Sequence, residues 1–469
     1  GRVRLEWEAT DQLTFRLISN LDHTDQGGYP YAPFDSIKQA AKEVNYNEYS
    51  SYKRLISTSG LSAEYRTDLF HINSQTSYQY LSDDQEIDQD FSPLDRYFVT
   101  QKQKQRMFSE ELNIKSNSKG NYKWLFGAFG FYQGVDNTVV MNYREQKFLT
   151  RKEYDMPTYG VAFYHQSTFD NLLTDGLSLT LGLRYDYEHA ENDYIAFRET
   201  EASSQETDQF DATLSFNQLT PKVALQYTFP TGQMLYGTVT KGYKTGGFNT
   251  SFNTEADRTF DPEYSWNYEL GTKLNIIDSY LSAELALFYI DWRKQQIYQP
   301  IASGQGSMLK NAGKSERKGV EVSLHGRPFN GFLWQAHYGY THATFREYQR
   351  SATLDYAGNF LPMVPENTFT LSADYTLSSL FNTIDRVTFS LAYTGTGKLY
   401  WTEANVASQP WYGLLNGKVT VTQGITSLSF WAKNITNTDY TAFYFEAFGS
   451  SFAQKGKPFT FGGSIAMTF

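Results

Sequence analysis

The side chains able to do chemistry are few and unevenly placed in this chain of 469 residues. Asp83, Asp84, Glu86, Asp88 and Asp90 crowd hard oxygen ligands of the kind calcium takes. The run lacks the glycine of an EF-hand loop, so a solvated acidic loop is the plainer reading. His337 and His342 sit five apart; on a strand they face opposite ways and cannot share a metal. There is no cysteine, which removes disulfides and thiolate metal sites. No nucleophile-elbow pattern appears, and no catalytic residue, metal or cofactor is expected. What remains is aromatic rings with nearby cations: Tyr29, Tyr31 and Phe34; Arg144, Lys147, Arg151 and Lys152; Tyr243, Lys244 and Phe248; and Tyr298. Arg and Lys beside such rings suit non-covalent capture of an anionic, aromatic ligand. The alternative is that the rings simply pack on one another or girdle an interface.

The elements carrying these residues follow from period and composition. Aromatics make up 17% of the chain, yet mean hydropathy is −0.53. That combination fits many strands with one apolar face. No stretch approaches ~18 apolar residues, so no transmembrane helix is expected. A net charge of −10 with no basic stripe argues against nucleic acid. Leu177, Leu179, Leu181, Leu183, Tyr185 and Tyr187 alternate with Ser178, Thr180, Gly182, Arg184, Asp186 and Glu188. The same alternation holds for Val223, Leu225, Tyr227 and Phe229, and again for Phe369, Leu371, Ala373, Tyr375 and Leu377. It closes the chain at Phe459, Phe461, Gly463, Ile465, Met467 and Phe469.

Tight polar connections occur at Asp11-Gln12, Thr67-Asp68, Lys119-Gly120, Thr231-Gly232, Asp278-Ser279, Asn330-Gly331 and Gln423-Gly424. Long connections are expected at about 23–50, 83–104, 135–156, 190–210, 246–262, 297–314, 346–366, 400–410 and 441–457. Short and long alternate, the pattern of a large antiparallel transmembrane β-barrel with short periplasmic turns and long extracellular loops. Its polar face would line a lumen with Arg184, Asp186, Glu188, Lys222, Glu269, Lys273, Glu284, Glu321 and His325. Tyr and Trp would form girdles at the lipid–water interfaces. The count is about 19 strands. An odd count leaves the outer strands pointing the same way, so they cannot close an antiparallel ladder. Large plugged barrels have about 22 strands. Residues 1–469 are therefore expected to be an N-terminally incomplete barrel domain.

Particular motifs carry a resemblance to a family. The segment from Lys241 through Gly242, Tyr243, Lys244, Gly246, Gly247 and Phe248 to Asn249 resembles the GYKxGGFN stretch of TonB-dependent outer-membrane receptors. The run Asn267-Tyr-Glu269-Leu-Gly271-Thr-Lys273 is similar to their NYELGxK strand. Asn311 and Gly313, followed by Gly319-Val-Glu-Val, resemble their NAG…GVE pattern. Leu361-Pro…Val364-Pro and Asn434…Tyr440 resemble the LPxVP and NxTNxxY segments. Phe469 resembles the C-terminal signal read by the barrel-assembly machinery. The flavour is that of the siderophore-receptor group. The resemblance implies a Gram-negative outer-membrane receptor whose loops capture a ferric siderophore or similar scarce ligand. TonB would then pull on a plug to admit it, and the barrel itself would do no bond chemistry. The plug, the TonB box and the first strands are not found in the chain. The alternative for Lys244 is a barrel-rim charge facing lipopolysaccharide phosphate instead of ligand. Rival cargoes are cobalamin, haem or an oligosaccharide; rival roles are a passive porin-like channel and an adhesin.

Overall fold

The computed structural model describes residues 1–302, 306–311, 313–351, 353–380 and 383–468. Phe469 lies outside them. Twenty strands form one antiparallel sheet. Two of them, Phe148–Asp155 and Thr158–Phe169, are successive parts of one wall strand, since both pair with Tyr122–Tyr143. Nineteen wall strands result. In order they are β1 (Arg2–Glu8), β2 (Leu13–Gly27), β3 (Ser51–Arg66), β4 (Phe70–Asp88), β5 (Tyr97–Ser116) and β6 (Tyr122–Tyr143). The two-part β7 follows, then β8 (Leu177–Glu199), β9 (Ser204–Thr228), β10 (Met234–Lys244), β11 (Glu263–Ile277), β12 (Leu281–Arg293) and β13 (Lys314–Phe329). Last come β14 (Phe332–Glu347), β15 (Asn367–Leu380), β16 (Ile384–Thr396), β17 (Tyr412–Gln423), β18 (Thr426–Lys433) and β19 (Thr460–Met467). Each pairs with its sequence neighbours; among the described residues no pairing joins β1 to β19.

The alternating apolar rows form the outer surface. Leu183, Leu225 and Leu391 are 49%, 49% and 52% exposed, which is lipid-facing and not core. The opposite face carries the charges. Arg16 bridges Glu6 and Glu64 at 3.0 and 2.9 Å, Arg184 holds Asp186 at 2.7 Å, and Lys273 meets Glu284 at 3.3 Å. Tyr236 donates its hydroxyl to Glu269 at 2.7 Å. Such groups persist only beside water or protein, which a lumen supplies.

Every tight connection expected from sequence falls at the same end of the wall. The other end differs from expectation in three places. The segments 83–104, 135–156 and 190–210 are not long loops. The strands run on as hairpins, leaving only 89–96, 144–147 and 200–203 between them. β9 is 25 residues long, roughly 80 Å of extended chain. Only about 9–11 residues are needed to cross a bilayer, so these hairpins stand well clear of it. The acidic run is accordingly strand as far as Asp88, with Asp90 in the short connection beyond: Asp83 accepts the Tyr52 hydroxyl at 2.7 Å and is only 9% exposed.

The loops after β2 and β18 meet. Ala32–Asp35 and Ala40–Ala41 join Thr441–Ala447 and Ser450–Lys455 in a four-stranded sheet, with Ala32 opposite Ala453. Lys455 pairs with Glu43, and Gln39 accepts the Ser408 amide at 3.1 Å. The wall has curled until the loops nearest its two ends touch.

Candidate functional site

At the neck, where wall strands give way to loops, the motif residues do structural work. Asn311 accepts the Asp261 amide at 2.8 Å and donates to the carbonyls of Asp261 and Lys294 at 2.9 and 2.8 Å. Asn249 clamps Leu309 from both sides at 2.7 and 2.9 Å. Asn434, 4% exposed at φ 47°, donates to Thr438 and Lys457 carbonyls and accepts the Thr438 amide. Tyr440 stacks on Tyr412 at 4.4 Å. Leu361 is buried against Ala343, Phe345 and Tyr348. The motif glycines leave room for neighbours. A β-carbon at Gly271 would come within 2.4 Å of the Tyr236 ring, and one at Gly313 within 2.3 Å of the Glu347 carbonyl oxygen. At Gly246 it would meet the Phe260 carbonyl oxygen at 2.3 Å, at Gly247 the Phe260 ring at 2.9 Å. Gly242 is milder, at 3.1 Å from Ser265, and Asn267 donates to the Ser265 hydroxyl at 3.2 Å and the Thr240 carbonyl at 3.5 Å.

The expected ligand residues scatter. Tyr29 hydrogen-bonds Gln85. Tyr31 packs edge-on to Phe91 and Phe445 at 5.2 and 4.9 Å, and Phe34 edge-on to Tyr444 at 4.9 Å, inside the sheet that ties the first and last loops. Arg144 binds Glu48 at 2.5 Å and Asp95 at 3.3 Å. Arg151 lies on the outer face, over Phe197 at 4.3 Å and bound to Glu199 at 2.8 Å. Tyr243 is half-buried at the end of β10, next to exposed Lys244, and Phe248 pairs with Thr259 in a short ribbon. Tyr298 is 69% exposed on the ribbon Gln296–Pro300.

Lys152 differs from its neighbour Arg151. Alternation turns it inward, beside Tyr154. Among the described residues no carboxylate lies within ion-pair reach of it. Burial pushes its ammonium below the usual lysine range, and Asp208 offsets this only in part. Tyr154, Tyr194 and Phe210 form a buried inner cluster that Phe252 of the loop 245–262 packs against. That loop is strapped down: Tyr154 donates to the Thr250 carbonyl at 2.8 Å, and Arg258 binds Asp208 at 3.2 Å while lying over Phe210 at 4.3 Å. A second inward cation, Arg317 on β13, lies over Trp292 at 4.4 Å. Neither Arg317 nor Trp292 stands out in the sequence; only register in the assembled wall reveals the pair.

A curved wall of nineteen strands, apolar outside and charged inside, with turns at one end and a built mouth at the other, defines a large membrane β-barrel. Residues 4–435 match the family described as TonB dependent receptor-like, beta-barrel, and the chain belongs to it. It is 25% identical over 382 residues to the pesticin receptor of Yersinia pestis, covering 78% of this chain and 52% of that protein. It is 23% identical over 326 residues to a probable TonB-dependent siderophore receptor, PiuA, of Acinetobacter baumannii, covering 64% and 42%. The crystal structure of the ferric yersiniabactin uptake receptor FyuA from Yersinia pestis superposes with a TM-score of 0.85 at 20% identity, covering all of this chain and 70% of that one. The unliganded ferric citrate transporter FecA superposes at 0.77 and 17% identity, over 100% and 69%. The chain spans about half the length of the curated relatives it matches.

Proposed function

We propose that the chain is the wall of an outer-membrane transporter that takes up a ferric siderophore, driven through TonB. The observation that carries this reading is the inner face of the mouth. There the inward cation Lys152 stands opposite Ala196, on the same strand face as Tyr154 and beside the buried cluster of Tyr154, Tyr194 and Phe210. Ferric chelates are commonly anionic and aromatic, which such a surface suits. The family and the siderophore receptors among its relatives support the same cargo. In this reading the protein sits in the Gram-negative outer membrane, bathed by lipid and lipopolysaccharide. Folding goes through the barrel-assembly machinery, and the wall makes and breaks no bonds. An odd number of further strands closes the ladder, and a plug completes the gate.

Radiolabelled iron uptake by iron-starved cells carrying the whole receptor tests it. Uptake should collapse when TonB is deleted. Uptake that survives this deletion, or steady conductance in planar bilayers, would replace transport with a passive channel. Competition by cobalamin, haem or an oligosaccharide would reassign the cargo.

A further inference from the structure

Two inward arginines of the wall show how such a charge is matched: Arg16 bridges Glu6 and Glu64, and Arg184 holds Asp186. Arg317 is not matched. Among the described residues its guanidinium makes no ion pair or hydrogen bond, and its Nε is buried without a partner. The acid it senses is Glu263, whose carboxylate already accepts the Gln296 amide at 2.6 Å. Orientation follows from register. Leu287, 48% exposed to lipid, stands opposite Val320, which puts Arg317 and Trp292 on the lumen side. Trp292 is one residue from the loop end of β12 and Arg317 three from that of β13, so both sit at the top of the lumen. The cation–π contact, 4.4 Å from the guanidinium carbon to the indole, restrains the fork, and its terminal nitrogens have no hydrogen-bond partner among the described residues. A planar fork held this way is preorganised for a two-oxygen anion. An unmatched buried donor is costly unless something supplies the acceptor.

We propose that Arg317, held over Trp292, reads the charge of the cargo, and that the cargo is an anionic iron chelate presenting paired carboxylate or phenolate oxygens. This rests on the transporter reading above. The test uses the full-length receptor in detergent and two probes: ferric citrate, which is anionic, and ferrichrome, a neutral ferric trihydroxamate. Quenching of tryptophan emission reports binding. Arg317→Gln should weaken ferric citrate binding roughly tenfold to a hundredfold, the worth of a charge-assisted hydrogen bond or two, and leave ferrichrome unchanged. Arg317→Lys, which keeps charge without the fork, should recover part of the loss. Trp292→Leu, which frees the fork, should weaken ferric citrate by severalfold. Each variant must first show the heat-modifiable band of a folded barrel; if Arg317→Gln does not, the lysine and leucine variants carry the comparison. Equal ferric citrate affinity in all four proteins would overturn the proposal alone. Equal losses for both probes would mean a structural role and also overturn it. A wild-type receptor that binds neither probe would overturn the transporter reading with it.

Discussion

The neck and the crown of this barrel are built on opposite terms. At the neck, Asn249, Asn311 and Asn434 turn their amides onto backbone groups, and Gly271 and Gly313 make room for a ring and a carbonyl. In the crown, Lys152 faces inward with no acid within ion-pair reach among the described residues, and the ring cluster on the same face sits on long hairpins. The recognisable motifs belong to the neck. They mark how a loop is anchored to a wall, which every receptor of this build must do whatever it carries. The surface facing a ligand has no such signature, so resemblance identifies the scaffold well and the cargo poorly.

Removing a neck amide should have the largest effect. Asn434→Leu leaves buried backbone groups without partners and puts a branched side chain at φ 47°. We expect a loss of about 3 kcal/mol or more, seen as earlier conversion of the unboiled gel band on heating. An unchanged conversion temperature would remove the neck's claimed role. Gly313→Ala should cost about 1–3 kcal/mol in the same assay, because its β-carbon would press on the Glu347 carbonyl. The crown separates the two faces of one strand. Lys152→Met should weaken binding of an anionic ferric chelate about tenfold, one charge-assisted contact. Arg151→Gln, one residue away on the outer face, should leave binding alone and change stability by under about 1 kcal/mol. Equal effects on binding would erase the distinction between the faces.

The smallest expected effect is a pH dependence at the loop after β2. Burial pushes the Asp88 carboxyl, which accepts the Glu48 amide, up to about 6. The folded state therefore holds this proton more tightly than the unfolded chain, whose carboxyl titrates near 4. The stabilisation is complete below about 4 and is lost as pH rises through about 6. Amide exchange in residues 44–50, corrected for intrinsic rate, should slow severalfold between pH 7 and pH 5. Faster exchange at the lower pH would contradict the assignment.

The wall was legible because lipid enforces a strict alternation. Leu177 to Tyr187 shows it, and so does Phe369 to Leu377. Above the bilayer that constraint lapses. Asp83-Asp84-Gln85-Glu86 and Glu191-Asn192-Asp193 are polar on both faces and read as loop, yet pairing with neighbouring strands keeps them extended. The packing of Tyr31 and Phe34 depends on residues hundreds of positions away, Phe445 and Tyr444, and no local pattern announces it. Lys152 and Arg151 look equivalent in sequence; their difference is a matter of which face of one strand each side chain takes.

Hydrogen exchange of the full-length receptor with and without its ferric chelate tests the central claim most directly. We predict that ligand slows exchange in 150–155, 192–196 and 315–319, on the inner face of the crown and neck. The sheet joining 32–35 to 450–455 should not change. Protection confined to that sheet, with the inner face unaffected, would contradict the account.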